Sequence, residues 1–335
     1  MKRIIVVSKY MVPYDNGFYA ANALIEMGHE VRTFGNMITE KPFESLMELI
    51  HRFNPELVLI IKGIGVQEEW IDALKQHNIL TVIWYPDVDD KIPEWVVPLA
   101  RKVDFFFTMA EGWIGEWKKR GVEHISWLSQ GFEPSFFSHQ GITPYEREAY
   151  QSDITFIGNI DSTKLYLSRR YRLSRIIKEG FQLKWWGQRL GRKPINIPLI
   201  LSKLGRCYGG RSVYFQDFAK IVQCSKLFLA FDAVPQVRKS MSARMYTAIG
   251  CGAFYLCQHV EGIEEVFVPD KEIVTFRDDD EMIDKIGYYL PREDKRKEIA
   301  RNGQKRIMAE YTYRHRLGEM MDILRKNGLI KENSL

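Results

Sequence analysis

Two series of short, mostly apolar, β-branched runs, each alternating with longer amphipathic stretches, constrain this chain more than any other feature. In the first series RIIVVS (3–8), EVRTFG (30–35), ELVLII (56–61), ILTVIW (79–84) and DFFFTM (104–109) are candidate strands. Strands that are nearly continuously apolar suit a parallel sheet covered by helices on both faces, because neither face meets water. Each connection is long enough for a crossover helix. The expected class is therefore doubly wound α/β.

Turn chemistry supports the boundaries. Gly28 and Gly121 each follow a helical pattern and suit a left-handed C-terminal cap, and Pro55 stops a helix before the next strand. Residues 131–151 lose the periodicity and collect Pro, Gly and polar side chains, as an interdomain connection would. A second series follows at ITFIGN (154–159), FQLKWW (181–186), KLFLAF (226–231), AFYLC (253–257) and EIVTF (272–276), with helices dominating from about residue 278. The predicted organisation is an N-terminal Rossmann-like domain over 1–140, a second over 152–311 and a terminal helix over 312–335 that packs back on the first. Two such sheets in tandem are expected to face a central cleft, with ligands at the C-terminal ends of the strands.

The 335 residues carry a formal charge of only +5, too little to suggest a nucleic-acid partner. Cys207, Cys224, Cys251 and Cys257 show no CxxC pair and no zinc spacing with histidine, so reduced core thiols and no resident metal are expected. The opening apolar run is five residues long with no small-residue cleavage site after it, so it reads as a strand. With no apolar stretch of roughly 18 residues, a cytoplasmic protein with at most peripheral membrane contact is expected.

The richest segment is residues 239–290. A polar loop feeds a helix predicted at about 241–249, which places Lys239, Ser240, Ser242 and unpaired N–H groups near a helix N-terminus, a seat for phosphate. Arg244 lies one turn in and can offer two parallel N–H donors to a diphosphate. The alternative is that the serines only cap the helix and that Arg244 pairs with an acid. A second acidic helix is expected to start at Glu261. Gly158 and Asn159 lie in a strand-to-helix loop running to Asp161, where a backbone can approach a phosphate; Gly187 and Gln188 close the next strand. Between 164 and 193 stand ten Lys or Arg and one acid, Glu179. Spread around a helix, most of them form a solvated face, with one or two able to reach a diphosphate. The seven histidines form no ligand or triad spacing, and there is no GxSxG or GxGxxG.

Four ordered segments carry a family resemblance: SARMYTAIGCGAFYL, GIEEVFVPDKEIVTF, a helix ending in GYYL, and EYTYRHRL at 310–317. Together they resemble the C-terminal module of the glycosyltransferase family 1 superfamily, in its CgeB-like, spore-maturation branch. ITFIGN, LVLIIKG and TVIWYPDVDD extend the likeness toward the N-terminus. The resemblance implies a GT-B fold and a hexosyltransferase that moves a sugar from a nucleotide sugar to a hydroxyl acceptor. UDP is the favoured base, GDP or TDP the alternatives, and no cofactor is required. Gly158, Asn159, Gly187, Gln188, Lys239, Ser242, Arg244 and Tyr246 are then the candidate donor contacts. Thr247 stands where many members have a glutamate thought to hold the donor ribose. Asp87, in a WYPDVDD turn at a strand end, is the candidate general base if configuration inverts. Asp15, before a helix start at Gly17, could bind an acceptor hydroxyl or cap the helix. A noncatalytic nucleotide- or carbohydrate-binding protein on the same scaffold is the competing reading.

Overall fold

The computed structural model describes residues 2–12, 15–160, 164–188 and 196–331. Two compact units emerge: Met1–Glu133 with Gln236–Ser242 and Tyr311–Leu335, and Pro134–Pro235 with Ala243–Glu310.

The first unit holds β1 (Arg3–Ser8), β2 (Glu30–Gly35), β3 (Leu57–Ile61), β4 (Leu80–Tyr85), β5 (Phe105–Thr108) and β6 (Ile125–Trp127). They form one sheet in the order β2-β1-β3-β4-β5-β6, with every pairing parallel. Because successive side chains point to opposite faces, the apolar runs feed two cores. Ile5, Val7, Val58, Ile60, Ile83 and Phe106 pack on one face with Leu46, Trp70, Leu74 and Trp117. On the other face Ile4, Val6, Leu59, Val82, Trp84 and Phe107 meet Ala20, Leu24, Tyr313, Leu317 and Met320. The last three belong to helix Tyr313–Lys326, whose Tyr313 ring lies 5.6 Å from that of Trp84.

The second unit holds β7 (Ser152–Ile157), β8 (Leu183–Trp186), β9 (Tyr208–Gly210), β10 (Ser225–Ala230), β11 (Tyr255–Gln258) and β12 (Val274–Phe276), again parallel, in the order β12-β11-β10-β7-β8-β9. Ile154, Phe156, Trp185, Leu227, Leu229, Phe231, Leu256 and Val274 form one core with Leu173, Ile176, Met282 and Ile286. Gly28 and Gly121 have φ of +86° and +85°, the left-handed conformation their helix-ending positions require.

The structure departs from the sequence reading in three respects. Residues 131–151 are not a bare connection: they include helices Pro134–Phe137 and Pro144–Tyr150, both in the second unit. Pro144 at the first helical position and a capping box between Thr143 and Glu146 explain the second helix. The acidic helix expected from Glu261 is a single 3-10 turn over Ile263–Glu265, entered through Gly262 at φ +80°. Two edge strands, β6 and β9, went unforeseen because three residues are too few to show a period.

Glu146 also accepts a bond from Lys220 Nζ at 2.6 Å, and that ammonium together with Thr143 holds its carboxyl down at about 2. A depressed carboxylate stabilises the fold above its usual titration range and ceases to do so as it is protonated. The gap in melting temperature between the wild type and Glu146→Gln is therefore expected to be complete at neutral pH. It should close as pH falls from 4.5 toward about 2, which a series of thermal melts checks.

Candidate functional site

The second sheet reverses its strand order at β7, with β8 and β9 on one side and β10 on the other. Such a switch point opens a crevice at the strand C-termini, where open α/β sheets take their ligands. Gly158 directly follows β7, and its N–H donates to Trp186 O at 2.9 Å. A Cβ on Gly158 would stand 3.2 Å from Arg244 Nη2, so the guanidinium lies against the bare backbone of this loop. A Cβ on Gly187 would stand 2.4 Å from Gly158 O, so the two loops touch backbone to backbone. Tyr208 donates from its hydroxyl to Gly187 O at 3.2 Å, fixing that loop from the β9 side.

Arg244 opens helix Ala243–Gly250, whose buried face is Met245, Tyr246, Ala248 and Ile249. Its side chain is half-buried and has no hydrogen-bond or ion-pair partner among the described residues. An uncompensated cation against a glycine backbone, beside a helix N-terminus, is suited to bind an anion in two-pronged fashion.

The described arginines of the basic stretch are committed to the protein. Arg169, buried, donates to Asn159 O at 3.1 Å and Phe231 O at 2.8 Å, tying the ends of β7 and β10 across the switch point. Arg170 donates to Ile160 O at 2.5 Å. Arg172 pairs with Asp279 at 2.8 Å and Arg175 pairs with Asp280. These residues build the loop around Gly158 and pin helix Lys164–Lys178 to helix Asp279–Tyr289, a role that charge counting did not suggest. Asp161, Arg189, Arg192 and Lys193 lie outside the described residues.

Other candidates are placed differently. Gln188 is exposed beyond β8, while Tyr246 is fully buried with its ring 6.3 Å from that of Phe267, so it presents no surface to a ligand. Lys239 and Ser242 belong to the first unit. There Lys239, at φ +50°, is buried, bonds Glu111 Oε1 at 3.2 Å and lies 4.6 Å over the Trp127 ring. Glu111 also holds Arg238 at 2.6 Å, so the charge of Lys239 is already matched. Glu264 bonds His259 at 2.7 Å.

At the end of β4 in the first unit, Asp87 forms an ion pair with Lys62 at 2.5 Å. Asp89 accepts from the Tyr85 hydroxyl at 3.4 Å, and burial, then the Asp87 charge, push its carboxyl up. Asp15 is buried and caps helix Asn16–Glu26, accepting from Gly17 N–H at 2.9 Å and from the Ser8 hydroxyl at 2.5 Å. Both bonds end on Oδ1, so that oxygen serves the fold. Among the described residues no group of His, Cys, Asp and Glu could hold a metal ion, and no helix is long and apolar enough to cross a membrane.

Residues 169–322 match the family model described as glycosyl transferase-like. Solved structures align along nearly the whole chain. A glycosyltransferase from Rickettsia africae superposes with a TM-score of 0.72 at 14% identity, covering 99% of both chains. Sucrose-phosphate synthase from Thermosynechococcus elongatus gives 0.69 at 13% identity, over 98% of this chain and 99% of that one. The fold is GT-B. Anabaena HepE, solved with UDP and glucose, gives 0.66 at 12% identity, over 97% of this chain and 100% of that one. No curated protein matches by sequence. The glycosyl transferase-like match over residues 169–322 favours the glycosyltransferase reading of the sequence over that of a noncatalytic binder. The CgeB-like assignment rests on the sequence segments alone.

Proposed function

We propose that this protein is a hexosyltransferase of the CgeB-like branch, which moves a sugar from a nucleoside diphosphate to a hydroxyl acceptor and binds the diphosphate with Arg244 over the Gly158–Gly187 loops. The observation that carries this is the half-buried guanidinium packed on glycine at the switch point, without a hydrogen-bond or ion-pair partner among the described residues. In the transfer, the bond from the anomeric carbon to the β-phosphate oxygen breaks and its electron pair leaves with the diphosphate. The acceptor oxygen bonds the same carbon and gives up its proton. A fixed cation that meets the charge developing on the diphosphate lowers the barrier without reorganising. Gln188, exposed past β8, is the candidate contact to the base, and Asn159 continues the phosphate loop. Lys239 and Ser242 complete the donor set in the sequence reading, and Glu111 competes with a diphosphate for the first of them.

UDP is the first base to try, since HepE is solved with it. Asp87 is the base for an inverting transfer: it is exposed enough to meet an acceptor, and Lys62 pairs with it at 2.5 Å. Asp15, absorbed in its cap, serves the acceptor only by fixing helix Asn16–Glu26.

A thermal-shift screen against UDP, GDP, TDP, ADP and CMP tests the proposal. A nucleotide at 100 times its dissociation constant stabilises by about 2.7 kcal/mol, which should raise the melting temperature by roughly 5 °C or more. One nucleotide should shift the melt, and its sugar conjugate should be hydrolysed slowly without acceptor. No shift with any of the five would remove the donor site from this chain.

A further inference from the structure

We propose that the exposed face shared by helix Lys164–Lys178 and the hairpin over residues 197–206 docks the second unit on an anionic bilayer surface, with aliphatic side chains entering the headgroup layer and Lys and Arg meeting lipid phosphate. The inference is independent of the donor reading, because it uses no residue of the Gly158–Arg244 seat.

The hairpin is built to turn apolar residues outward. Its helices Ile197–Leu201 and Lys203–Arg206 meet at Ser202, whose hydroxyl donates to Leu199 O at 2.6 Å and accepts from Gly205 N–H at 3.1 Å. A Cβ on Gly205 would collide with Ile200 O, so glycine is what lets the two turns close this tightly. Leu199 and Leu204 enter the core of the second unit, and Trp185 Nε1 donates to Leu204 O at 2.8 Å. With those two as anchors, the other aliphatic side chains of IPLIL point away: Ile197 and Ile200 are exposed and Leu201 is 74% exposed. Leu167, 52% exposed, and Tyr171, 68%, continue the surface on helix Lys164–Lys178, where the spacing of 167, 171 and 178 puts Lys178 on the same face. Arg170, between Leu167 and Tyr171 in sequence, donates to Asn196 Oδ1 at 3.3 Å and so brings the start of the hairpin against that helix.

The charge around these side chains selects the occupant. Residues 162–216 hold thirteen Lys or Arg and a single acid, Glu179, in a chain whose totals are 48 and 43. Arg169, Arg170, Arg172 and Arg175 are engaged inside the fold, but Lys178, Lys203 and Arg206 are exposed and have neither a hydrogen bond nor an ion pair among the described residues. The acids beside this helix do not cancel them. Asp279 and Asp280 pair with Arg172 and Arg175, Asp278 caps its own helix, Glu281 pairs with Lys285, and only exposed Glu179, next to Lys178, remains. A second copy of the chain in a two-fold contact would set these cations against themselves. A nucleic acid would meet aliphatic side chains, which offer its bases neither a stacking ring nor a hydrogen bond. An anionic bilayer suits both halves of the surface, since its acyl boundary accepts Ile and Leu while its phosphates attract the cations. Among the described residues no helix is long and apolar enough to cross a membrane, so the contact is a seat on the surface.

Co-sedimentation of the full chain with vesicles of phosphatidylcholine alone, and of equal parts phosphatidylcholine and phosphatidylglycerol, tests this. Binding to the mixed vesicles should exceed binding to the neutral ones at least about tenfold, and should fall steeply as salt rises from about 0.1 to 1 M and the Debye length shortens from about 10 to 3 Å. Ile200→Ser combined with Leu201→Ser should weaken it by about tenfold or more, from lost apolar area. Lys203→Gln combined with Arg206→Gln should weaken it by roughly 25-fold, about fivefold for each cation. These side chains face solvent, so the melting temperature and any nucleotide-induced shift should stay at wild-type values. Ile38→Ser, at an exposed aliphatic position of the first unit, is the control and should bind vesicles as the wild type does. No preference for the anionic vesicles, or full binding by the Ile200→Ser, Leu201→Ser protein, overturns the inference. So does a dimer in sedimentation velocity that the same double substitution dissolves, or binding of single-stranded RNA that outcompetes vesicles and is lost with Lys203→Gln and Arg206→Gln. Vesicle binding without any nucleotide-induced shift would keep the membrane seat and sink the donor site.

Discussion

Replacing Arg244 with alanine is expected to lower turnover by about 10² to 10³, the usual consequence of removing one fixed donor from a developing anion. The nucleotide-induced thermal shift should shrink with it. The fold should hardly notice: the guanidinium carries no ion pair among the described residues, and the helix it opens is anchored by Met245, Tyr246, Ala248 and Ile249. Arg244→Lys is expected to recover only part of the rate, since an ammonium is a point charge without the planar fork. The decisive readout is donor hydrolysis or transfer with an unchanged melt in the absence of nucleotide. Wild-type turnover in Arg244→Ala would remove the residue from the site.

Gly187→Ala should do the opposite and damage the scaffold. Its Cβ would fall 2.4 Å from Gly158 O, a backbone atom that cannot swing aside as a side chain tip would. Gly158 N–H bonds Trp186 O, so the β7 and β8 loops would have to part, and with them the surface on which Arg244 rests. Overpacking of this kind costs about 1 to 3 kcal/mol, enough to lower the melting temperature by several degrees. Nucleotide binding should fall in step. Gly180→Ala makes the control: that glycine follows helix Lys164–Lys178, at φ +90°, and open space surrounds its Cβ, so it should lose only the backbone contribution. A Gly187→Ala protein that melts normally and binds nucleotide normally would show that the two loops separate at no cost.

The parallel sheets were legible because their strands are apolar on both faces, and RIIVVS or KLFLAF can be little else. The order of the strands was not, since nothing local says that β1 lies between β2 and β3. Gly158 and Arg244 could each be proposed as phosphate contacts from residue type and loop position. Their contact could not, because 86 residues separate them. Arg169 shows the limit most clearly: in the sequence it is one cation among ten, and only the fold places Asn159 O and Phe231 O within its reach. Lys239 fails in the complementary way. Its neighbours in sequence suggested a diphosphate, yet Glu111, 128 positions upstream, occupies its ammonium. Tyr246 was grouped with Arg244 by the family resemblance, but a helix turns about 100° per residue, so two positions on the side chain points to nearly the opposite side, into the core.

The first unit draws on three separate stretches of chain, the last being Tyr311–Leu335. Its helix Tyr313–Lys326 supplies Tyr313, Leu317, Met320, Met321 and Leu324 to one face of the first sheet. On the ribosome that sheet is made early, but on this side helix Asn16–Glu26 covers it without its neighbour until Tyr311–Leu335 has been made. At about 5 to 20 residues per second, the wait between Glu133 and Tyr311 is roughly 10 to 35 s. Ile4, Val6, Leu59 and Trp84 must spend that interval without their final partners, which makes the nascent N-terminal half a client for chaperones. A fragment of residues 1–133 would keep helix Asn16–Glu26 on this face but leave the place of helix Tyr313–Lys326 open. Loss of residues 311–335 should therefore harm the N-terminal sheet as much as the segment removed.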